Sequence, residues 1–227
     1  MKIEIWSDYA CPFCYVAKRH FEQALAEFAG KDDVQIVHKT FRLDPNAGDT
    51  PSYSMLEKLQ KNYGKSRDEA VSMMKYINQA GERAGVEINV ENTQNTNTLN
   101  AHRLLKFAEN HGLGEALNDK LYFAYFAKNQ NLADKSVLAD LAEQIGLNRD
   151  ESIRMLSSDE YVDECLADEQ EARQKGIQAV PMFVFDKKYG VSGAQPRELF
   201  LQALTQSYDE HQAQNLVGAS CGIDGCE

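Results

Sequence analysis

Two cysteines separated by two residues are the part of this sequence best suited to chemistry. Cys11 and Cys14 enclose a proline and a phenylalanine near the start of the chain. Thiols at this spacing can close a reducible disulfide or, with two further ligands, hold a zinc ion. Alternation over residues 2–6 predicts a strand and the apolar spacing over 12–29 predicts a helix, so the pair is expected where a strand passes into a helix.

This placement favours redox chemistry over a metal site or a structural role. Cys11 is expected at the positive end of the helix dipole, beside unpaired backbone N–H groups that stabilise a thiolate. We interpret Cys11 as the exposed nucleophile and Cys14, one turn further on, as the more buried resolving cysteine. Pro12 and Phe13 shape the turn between them. Phe13 is interpreted either as simple packing or as a contact to substrate.

A long helical block separates two β-containing ends of the chain. A strand over 34–43 follows the first helix and completes a β-α-β unit with parallel strands. Strand character returns at 182–185 and 190–193, and Pro196 opens a final helix that we expect to end near Gln212. The apolar periodicity between these ends predicts helices over 54–63, 66–84, 98–111, 114–128, 135–145, 148–156 and 159–175.

A proline directly before the third predicted strand is a second informative feature. The Val180-Pro181 pair occupies a position where proline is restricted to few settings, one of which is a cis bond in a tight turn. A strand–CxxC–helix start with such a Val-Pro resembles the thioredoxin superfamily, and the helical insertion resembles its DsbA branch. Within that branch, residues 6–15, 41–45 and 193–196 resemble the FrnE-like subgroup.

The resemblance implies an α/β protein with a thioredoxin fold and a large all-helical insertion between the second and third strands. Pro181 would be cis and face the sulfurs, and Val180 would offer its backbone to an extended substrate. The implied activity is thiol–disulfide exchange of the oxidase or isomerase type with protein or peptide thiols, with glutathione as a further partner. The expected domains are a thioredoxin-like domain (1–46 and 177–213), a helical insertion (47–176) and a flexible tail (214–227).

Two alternative functions stay open at this point. A neighbouring subgroup resembles 2-hydroxychromene-2-carboxylate isomerases and kappa-class glutathione transferases, which typically carry serine where Cys11 stands. Retention of both Cys11 and Cys14 favours disulfide exchange over that chemistry. A holdase-like module that binds unfolded chains, or a zinc–thiolate module, is the second alternative.

The remaining three cysteines have separate interpretations. Cys221 and Cys226 form a CxxxxC pair in the predicted tail, which could shuttle electrons to Cys11 and Cys14 at high effective concentration. It could equally be an inert disulfide, or join the first pair in a four-thiolate zinc site. Cys165 lies in a predicted helix, where half-buried packing is expected.

Other chemically capable side chains near the pair have mainly structural interpretations. Asp8 is interpreted as capping the turn before Cys11 rather than acting on protons, and His20 as an ordinary packed histidine. The aromatic run over 121–126 and the run over 73–77 are interpreted mainly as core. A part of each could line a groove for unfolded substrate.

Composition and charge exclude other classes of function. The chain has 227 residues and a net charge of -11, with the acidic residues spread along it, so we expect no nucleic-acid partner. No apolar stretch is long enough to span a bilayer, and no membrane partner is expected. The start at Met1 runs directly into a strand, which predicts a cytoplasmic protein. No phosphate-binding loop or metal-spaced histidine cluster suggests a cofactor or metal, and no feature indicates an oligomeric state.

Overall fold

The computed structural model describes residues 1–51 and 53–220. Within them, one four-stranded sheet carries helices, most of which come between the second and third strands. The strands are β1 (Lys2–Ser7), β2 (Gln35–Thr40), β3 (Met182–Phe185) and β4 (Tyr189–Ser192). The helices are α1 (Pro12–Glu27), α2 (Met55–Tyr63), α3 (Arg67–Ala84), α4 (Leu99–Glu109), α5 (Gly114–Phe126), α6 (Lys135–Gln144), α7 (Arg149–Ser157), α8 (Val162–Gln174) and α9 (Arg197–Ser220).

The sheet places β1 at its centre, next to the cysteine pair. The strand order is β2-β1-β3-β4. β1 pairs in parallel with β2 and antiparallel with β3, so Ile5 lies opposite both His38 and Phe183. All four inner residues of β1 are buried, which is typical of a strand covered on both faces. Residues 8–11 then connect its end to the start of α1.

Helix α1 is held between two apolar cores. On the sheet side, Phe21 packs against Phe183 and Phe200, with ring centroids 5.2 and 5.8 Å apart. On the other side, Tyr15 stacks on Tyr122 of α5 with a centroid distance of 5.2 Å. Burial of each such aromatic side chain stabilises the fold by roughly 1.5–3 kcal/mol. The helix that carries Cys14 is therefore fixed from both directions.

A buried carboxylate ties the helices to the sheet. Asp168 of α8 accepts hydrogen bonds from Lys39 Nζ at 2.8 Å, Lys106 Nζ at 2.6 Å and the Thr40 N–H at 3.1 Å. The indole N–H of Trp6 donates to the Asp168 carbonyl oxygen at 3.1 Å. These bonds fix α4 and α8 against the carboxyl ends of β1 and β2, which is the edge from which the chain enters α1.

The seven helices predicted between β2 and β3 are confirmed, and their ends agree to within three residues. β2 stops at Thr40 instead of reaching Leu43, because β1 ends at Ser7 and offers no partner strand beyond it. The predicted end of the last helix at Gln212 is wrong, since α9 continues to Ser220. From Arg197 it meets no glycine or proline before Gly218. Residues 214–220 of the predicted tail are therefore helical, and 221–227 lie outside the described residues.

Candidate active site

Cys11 and Cys14 lie at the junction of β1 and α1. Cys11 immediately precedes the helix with an extended backbone (φ -101°, ψ 109°), and Pro12 occupies the first helical position. The Cys11 N–H donates to the Asp8 carbonyl oxygen at 3.1 Å, and the Cys14 N–H donates to the Cys11 carbonyl oxygen at 3.1 Å. Both side chains are free thiols. The local turn therefore sets Cys11 at the positive end of α1 and Cys14 one turn inside it.

Cys14 is the thiol of the pair whose ionisation the structure disfavours. Cys14 is only 2% exposed. Its burial, followed by its hydrogen bond with Cys11, raises the pKa of the Cys14 thiol well above its ordinary value. Cys14 is therefore a neutral thiol in the reduced protein at neutral pH. Cys11 is the member of the pair whose position favours a thiolate.

The prediction that Cys11 is exposed is wrong, because only 4% of its surface is accessible. Phe13 and Val180 pack against the core that contains it. Tyr63, at the end of α2, is close enough that the charge of Cys11, after partial burial, raises the pKa of the tyrosine. Cys11 thus belongs to the same buried core as Met55 and Leu59 of the helical insertion, an arrangement that no local sequence pattern indicates.

The Val180–Pro181 segment lies directly beside the thiols. Its peptide bond is cis. The Cys11 thiol donates to the Val180 carbonyl oxygen at a distance of 3.6 Å, and Pro181 shares a small cavity with Cys14. The Gly193 N–H donates to the Pro181 carbonyl oxygen at 2.9 Å, which ties the segment to the end of β4. Two parts of the chain that are far apart in sequence therefore meet at the sulfurs.

Asp8 does more than cap the turn. Its carboxylate accepts hydrogen bonds from the Ala10 N–H at 3.2 Å, the Leu43 N–H at 2.7 Å and the Thr98 hydroxyl at 2.8 Å. Nε2 of His102 is 3.5 Å from Oδ1 of Asp8. Burial alone would raise the pKa of Asp8, but His102 and these hydrogen bonds outweigh it and lower the pKa. Asp8 thus stays ionised and joins three segments beside Cys11.

Aromatic side chains lie on the surface near the cysteine pair. The rings of Phe13 and Tyr76 lie 6.2 Å apart, and the Arg83 guanidinium is 5.9 Å from the Tyr76 ring. Tyr76 is 52% exposed and Tyr63 is 56% exposed. We call Phe13, Tyr63 and Tyr76 the rim. Such exposed aromatic surface suits contact with varied apolar side chains of a substrate.

The other residues singled out in the sequence have structural positions. Nδ1 of His20 pairs with the Gln195 carbonyl oxygen at 2.8 Å and so supports the turn after β4. Cys165 is fully buried rather than half-buried. Most of the run over 121–126 is core, but Phe123 is 38% exposed. The predicted role of Cys221 and Cys226 falls outside the described residues.

Sequence reasoning missed the polar groups around the pair, which are His38, His102, Lys18, Asn118 and Tyr9. Lys18 follows Cys14 by four residues, so helical spacing could have placed it on the same face. The histidines gave no such signal, because β2 and α4 carry them to the site only through tertiary packing. The Tyr9 ring packs between His102 and Tyr122 of α5, and its centroid is 4.9 Å from the centroid of each of these rings.

Within residues 1–51 and 53–220, no three His, Cys, Asp or Glu side chains come together in a way that could hold a metal ion. In the same part of the chain, no helix has the length and apolar composition needed to cross a bilayer. A zinc site that includes Cys221 and Cys226 stays a prediction.

Comparison with known proteins agrees with this geometry. Residues 2–205 match the DSBA-like thioredoxin domain. A Bacillus subtilis (strain 168) protein, the uncharacterized YwbO, is 30% identical over 89% of this chain and 95% of its own. A probable DsbA oxidoreductase from Streptomyces coelicolor is 41% identical, covers 92% of this chain and 91% of its own, and superposes with a TM-score of 0.87.

A more distant structure shares the fold alone. The cytosolic disulfide reductase DsbM from Pseudomonas aeruginosa, solved with GSH, is 14% identical and has a TM-score of 0.64. It covers 91% of this chain and 98% of its own. The strand–CxxC–helix junction, the helices inserted between β2 and β3 and the family match over residues 2–205 lead to one conclusion. This chain belongs to the DsbA-like thioredoxin domain family of thiol oxidoreductases.

Proposed function

We propose that this protein is a thiol–disulfide oxidoreductase that exchanges disulfides with protein or peptide substrates through Cys11 and Cys14. One observation carries the proposal. Cys11 Sγ lies at the start of α1, 3.6 Å from the Val180 carbonyl oxygen, while Cys14 is buried behind it as a neutral thiol. The first sulfur is therefore placed to meet a substrate, and the second to resolve the product.

The chemistry follows from this division. In the reducing direction, the Cys11 thiolate attacks a substrate disulfide, and one substrate sulfur leaves as a thiolate that takes up a proton. Cys14 then loses its proton and attacks Cys11 Sγ, which forms the Cys11–Cys14 disulfide and releases the second substrate thiolate. Oxidation of a substrate dithiol runs through the same steps in reverse. An isomerase uses the first half in both directions without net electron transfer.

Substrate recognition is assigned to the Val180–Pro181 segment and the rim. An extended peptide beside Val180 could pair with its backbone as an added strand, once the Cys11 thiol no longer occupies the Val180 carbonyl oxygen. Because Cys11 is nearly inaccessible, its surroundings must open as a substrate approaches. Glutathione is the proposed small partner, a choice supported by the fold-level likeness to a disulfide reductase solved with GSH.

Trapping the mixed disulfide tests the proposal. Cys14→Ser is expected to accumulate adducts with substrate through Cys11, because the resolving sulfur is gone. Cys11→Ser should give neither adducts nor turnover. The matched control is Cys165→Ala, at a buried cysteine outside the site, which should keep both activities. Turnover by Cys11→Ser, measured on a protein disulfide and read by mass spectrometry, would contradict the proposal.

The same variants separate the alternative functions. Glutathione-dependent isomerisation of an aromatic substrate that survives in Cys11→Ser would point to the 2-hydroxychromene-2-carboxylate isomerase chemistry. Suppression of client aggregation by a protein lacking both Cys11 and Cys14 would favour a holdase-like module. Redox titration in glutathione buffers, with the free cysteines alkylated and counted by mass spectrometry, would give the reduction potential and so indicate the direction of electron flow.

The tail pair and the location need their own measurements. Since α9 reaches Ser220, the double substitution Cys221→Ser/Cys226→Ser tests the proposed shuttle better than a deletion that cuts the helix. Unchanged turnover with a protein disulfide would exclude the shuttle. A cytoplasmic location is proposed, and fractionation of cells with an antibody to the protein would test it.

A further inference from the structure

The buried thiol of Cys14 must exchange a proton with its surroundings in every catalytic cycle. Cys14 is a neutral thiol when the protein is reduced and a bridging sulfur when it is oxidised. Only 2% of the residue is accessible, and Cys11 lies between it and the approaching substrate. The proton therefore has no direct path to solvent on the substrate side, where the mixed disulfide forms.

A small cavity borders Cys14. Its volume of about 10 Å³ is close to the minimum that can hold one water molecule. Its apolar lining comes from Ile5, Pro181 and Phe183, and its polar lining comes from Ser7, Lys18, His38, Asn118 and Tyr122. We call this polar set the floor. A cavity with several hydrogen-bonding groups suits a water in a way that an apolar void does not.

His38 on β2 connects the floor to a partly exposed carboxylate. Its Nε2 lies 2.7 Å from Oε1 of Glu115, whose side chain is 54% exposed. Asn118 Nδ2 is 3.4 Å from the same nitrogen, and Asn118 is oriented by the Tyr9 hydroxyl, which donates to its Oδ1 at 3.1 Å. With Nε2 donating to the carboxylate, Nδ1 is the ring nitrogen left to accept a proton.

Lys18 supplies a fixed positive charge at the same place. It follows Cys14 by four residues on α1, so both lie on one face of the helix. Burial alone would lower the pKa of Lys18, but the neighbouring Glu22 and Asp119 carboxylates outweigh it and keep the ammonium charged. A cation lining the cavity stabilises the Cys14 thiolate whenever it forms.

The remaining charged groups near the floor come from several elements. Partial burial alone would raise the pKa of Glu115, but the hydrogen bond and charge of His38, with Lys18, lower it to about 2. Burial raises the pKa of Glu109, a second carboxylate facing His38. The titratable groups next to Cys14 are Cys11, Asp8 and Tyr122, and those next to His38 are Glu109 and Glu115. Lys106 acts in turn on Glu109, and Lys18 on Glu115.

We infer that the floor is the proton path of the resolving cysteine, with His38 as the group that relays the proton and Glu115 as the outlet to solvent. The inference rests on the proposed function. When Cys14 attacks the mixed disulfide, its proton passes through a water in the cavity to Nδ1 of His38. The Nε2 proton then leaves by way of Glu115, and electrons move only between the sulfurs. When Cys14 is the leaving group, the proton returns along the same path.

The experiment follows the two sulfurs separately in the full-length Cys221→Ser/Cys226→Ser protein. The reduced protein is mixed with an aromatic disulfide that releases one coloured thiolate when Cys11 attacks and a second when Cys14 resolves. His38→Gln keeps a donor toward Glu115 but cannot carry a proton. We expect it to slow the second release about tenfold or more, with the first release unchanged. The second rate should then rise in proportion to hydroxide concentration.

Controls separate this inference from the proposed function. His111 lies just after α4, and its Nδ1 bonds to the Phe107 carbonyl oxygen. His111→Gln should therefore behave like the parent protein. Glu115→Gln provides a second variant should His38→Gln fail to fold, and it should slow the second release alone, by a smaller factor. A second release in folded His38→Gln with the parent's rate and pH profile would overturn the relay and leave the proposed function intact. Absence of any thiolate release from the parent protein would overturn the proposed function itself.

Discussion

The rim near Cys11 and the floor beneath Cys14 differ in composition, although the two sulfurs are only one helical turn apart. The rim is aromatic and exposed, and two of its three residues come from the helices inserted between β2 and β3. The floor is polar and mostly buried, and it is assembled from β1, β2, α1 and α5. The difference indicates that substrate contact and proton handling are separate properties of one site. Each can be changed without the other.

The largest expected effect concerns Asp8, which lies next to the site and belongs to neither region. Asp8→Ala should lower the free energy of unfolding by roughly 3–5 kcal/mol, because it leaves the Ala10 N–H, the Leu43 N–H and the Thr98 hydroxyl without their acceptor, at about 1–3 kcal/mol for each buried donor. Denaturation by urea would measure it. Asp8→Asn should lose less, since its oxygen still accepts one of these bonds. The exposed Asp209→Ala should stay within about 0.5 kcal/mol of the parent protein. Equal stability of Asp8→Ala and the parent would show that the carboxylate is not a tether.

A smaller effect is expected at the rim. Tyr76→Ala should raise KM for a peptide disulfide about threefold to tenfold, because it removes an aromatic contact worth roughly 0.5–1.5 kcal/mol. Turnover of cystamine, a small disulfide without apolar side chains to contact the rim, should not change. Leu166→Ala, at an exposed apolar residue of α8, is the matched control. An equal loss with both substrates would mean that the rim positions Cys11 rather than the peptide.

The smallest effect concerns the stability of the protein at acid pH, through Glu115, the carboxylate bonded to His38 of the floor. The pKa of Glu115 is lowered from 4.5 to about 2 in the folded protein, so its contribution to stability is complete above pH 4.5 and disappears as the pH falls toward 2. Because the side chain is half exposed, solvent screening limits this contribution to about 1 kcal/mol or less. Glu115→Gln should therefore flatten the acid side of the stability profile. Tyr76→Ala, which changes the rim and leaves Glu115 in place, should keep the acid side of the parent's stability profile.

Much of the fold follows from local pattern. The helices between β2 and β3 could be predicted because apolar periodicity and capping residues such as Ser54 and Ser66 act within a few residues. The bounds that differed depended on partners elsewhere. β2 stops where β1 no longer pairs with it, and α9 continues because nothing interrupts it before Gly218.

The sequence by itself determined where the thiol pair lies, which cysteine begins the helix and which residue pair precedes β3, because these depend on neighbours along the chain. Only the tertiary structure decided that Cys11 meets Val180 across 169 residues, that Asp8 meets Thr98 across 90, and that His38 meets Glu115 across 77. Such contacts depend on how whole helices pack against the sheet. No spacing within one element encodes them, and they set the surroundings of both sulfurs.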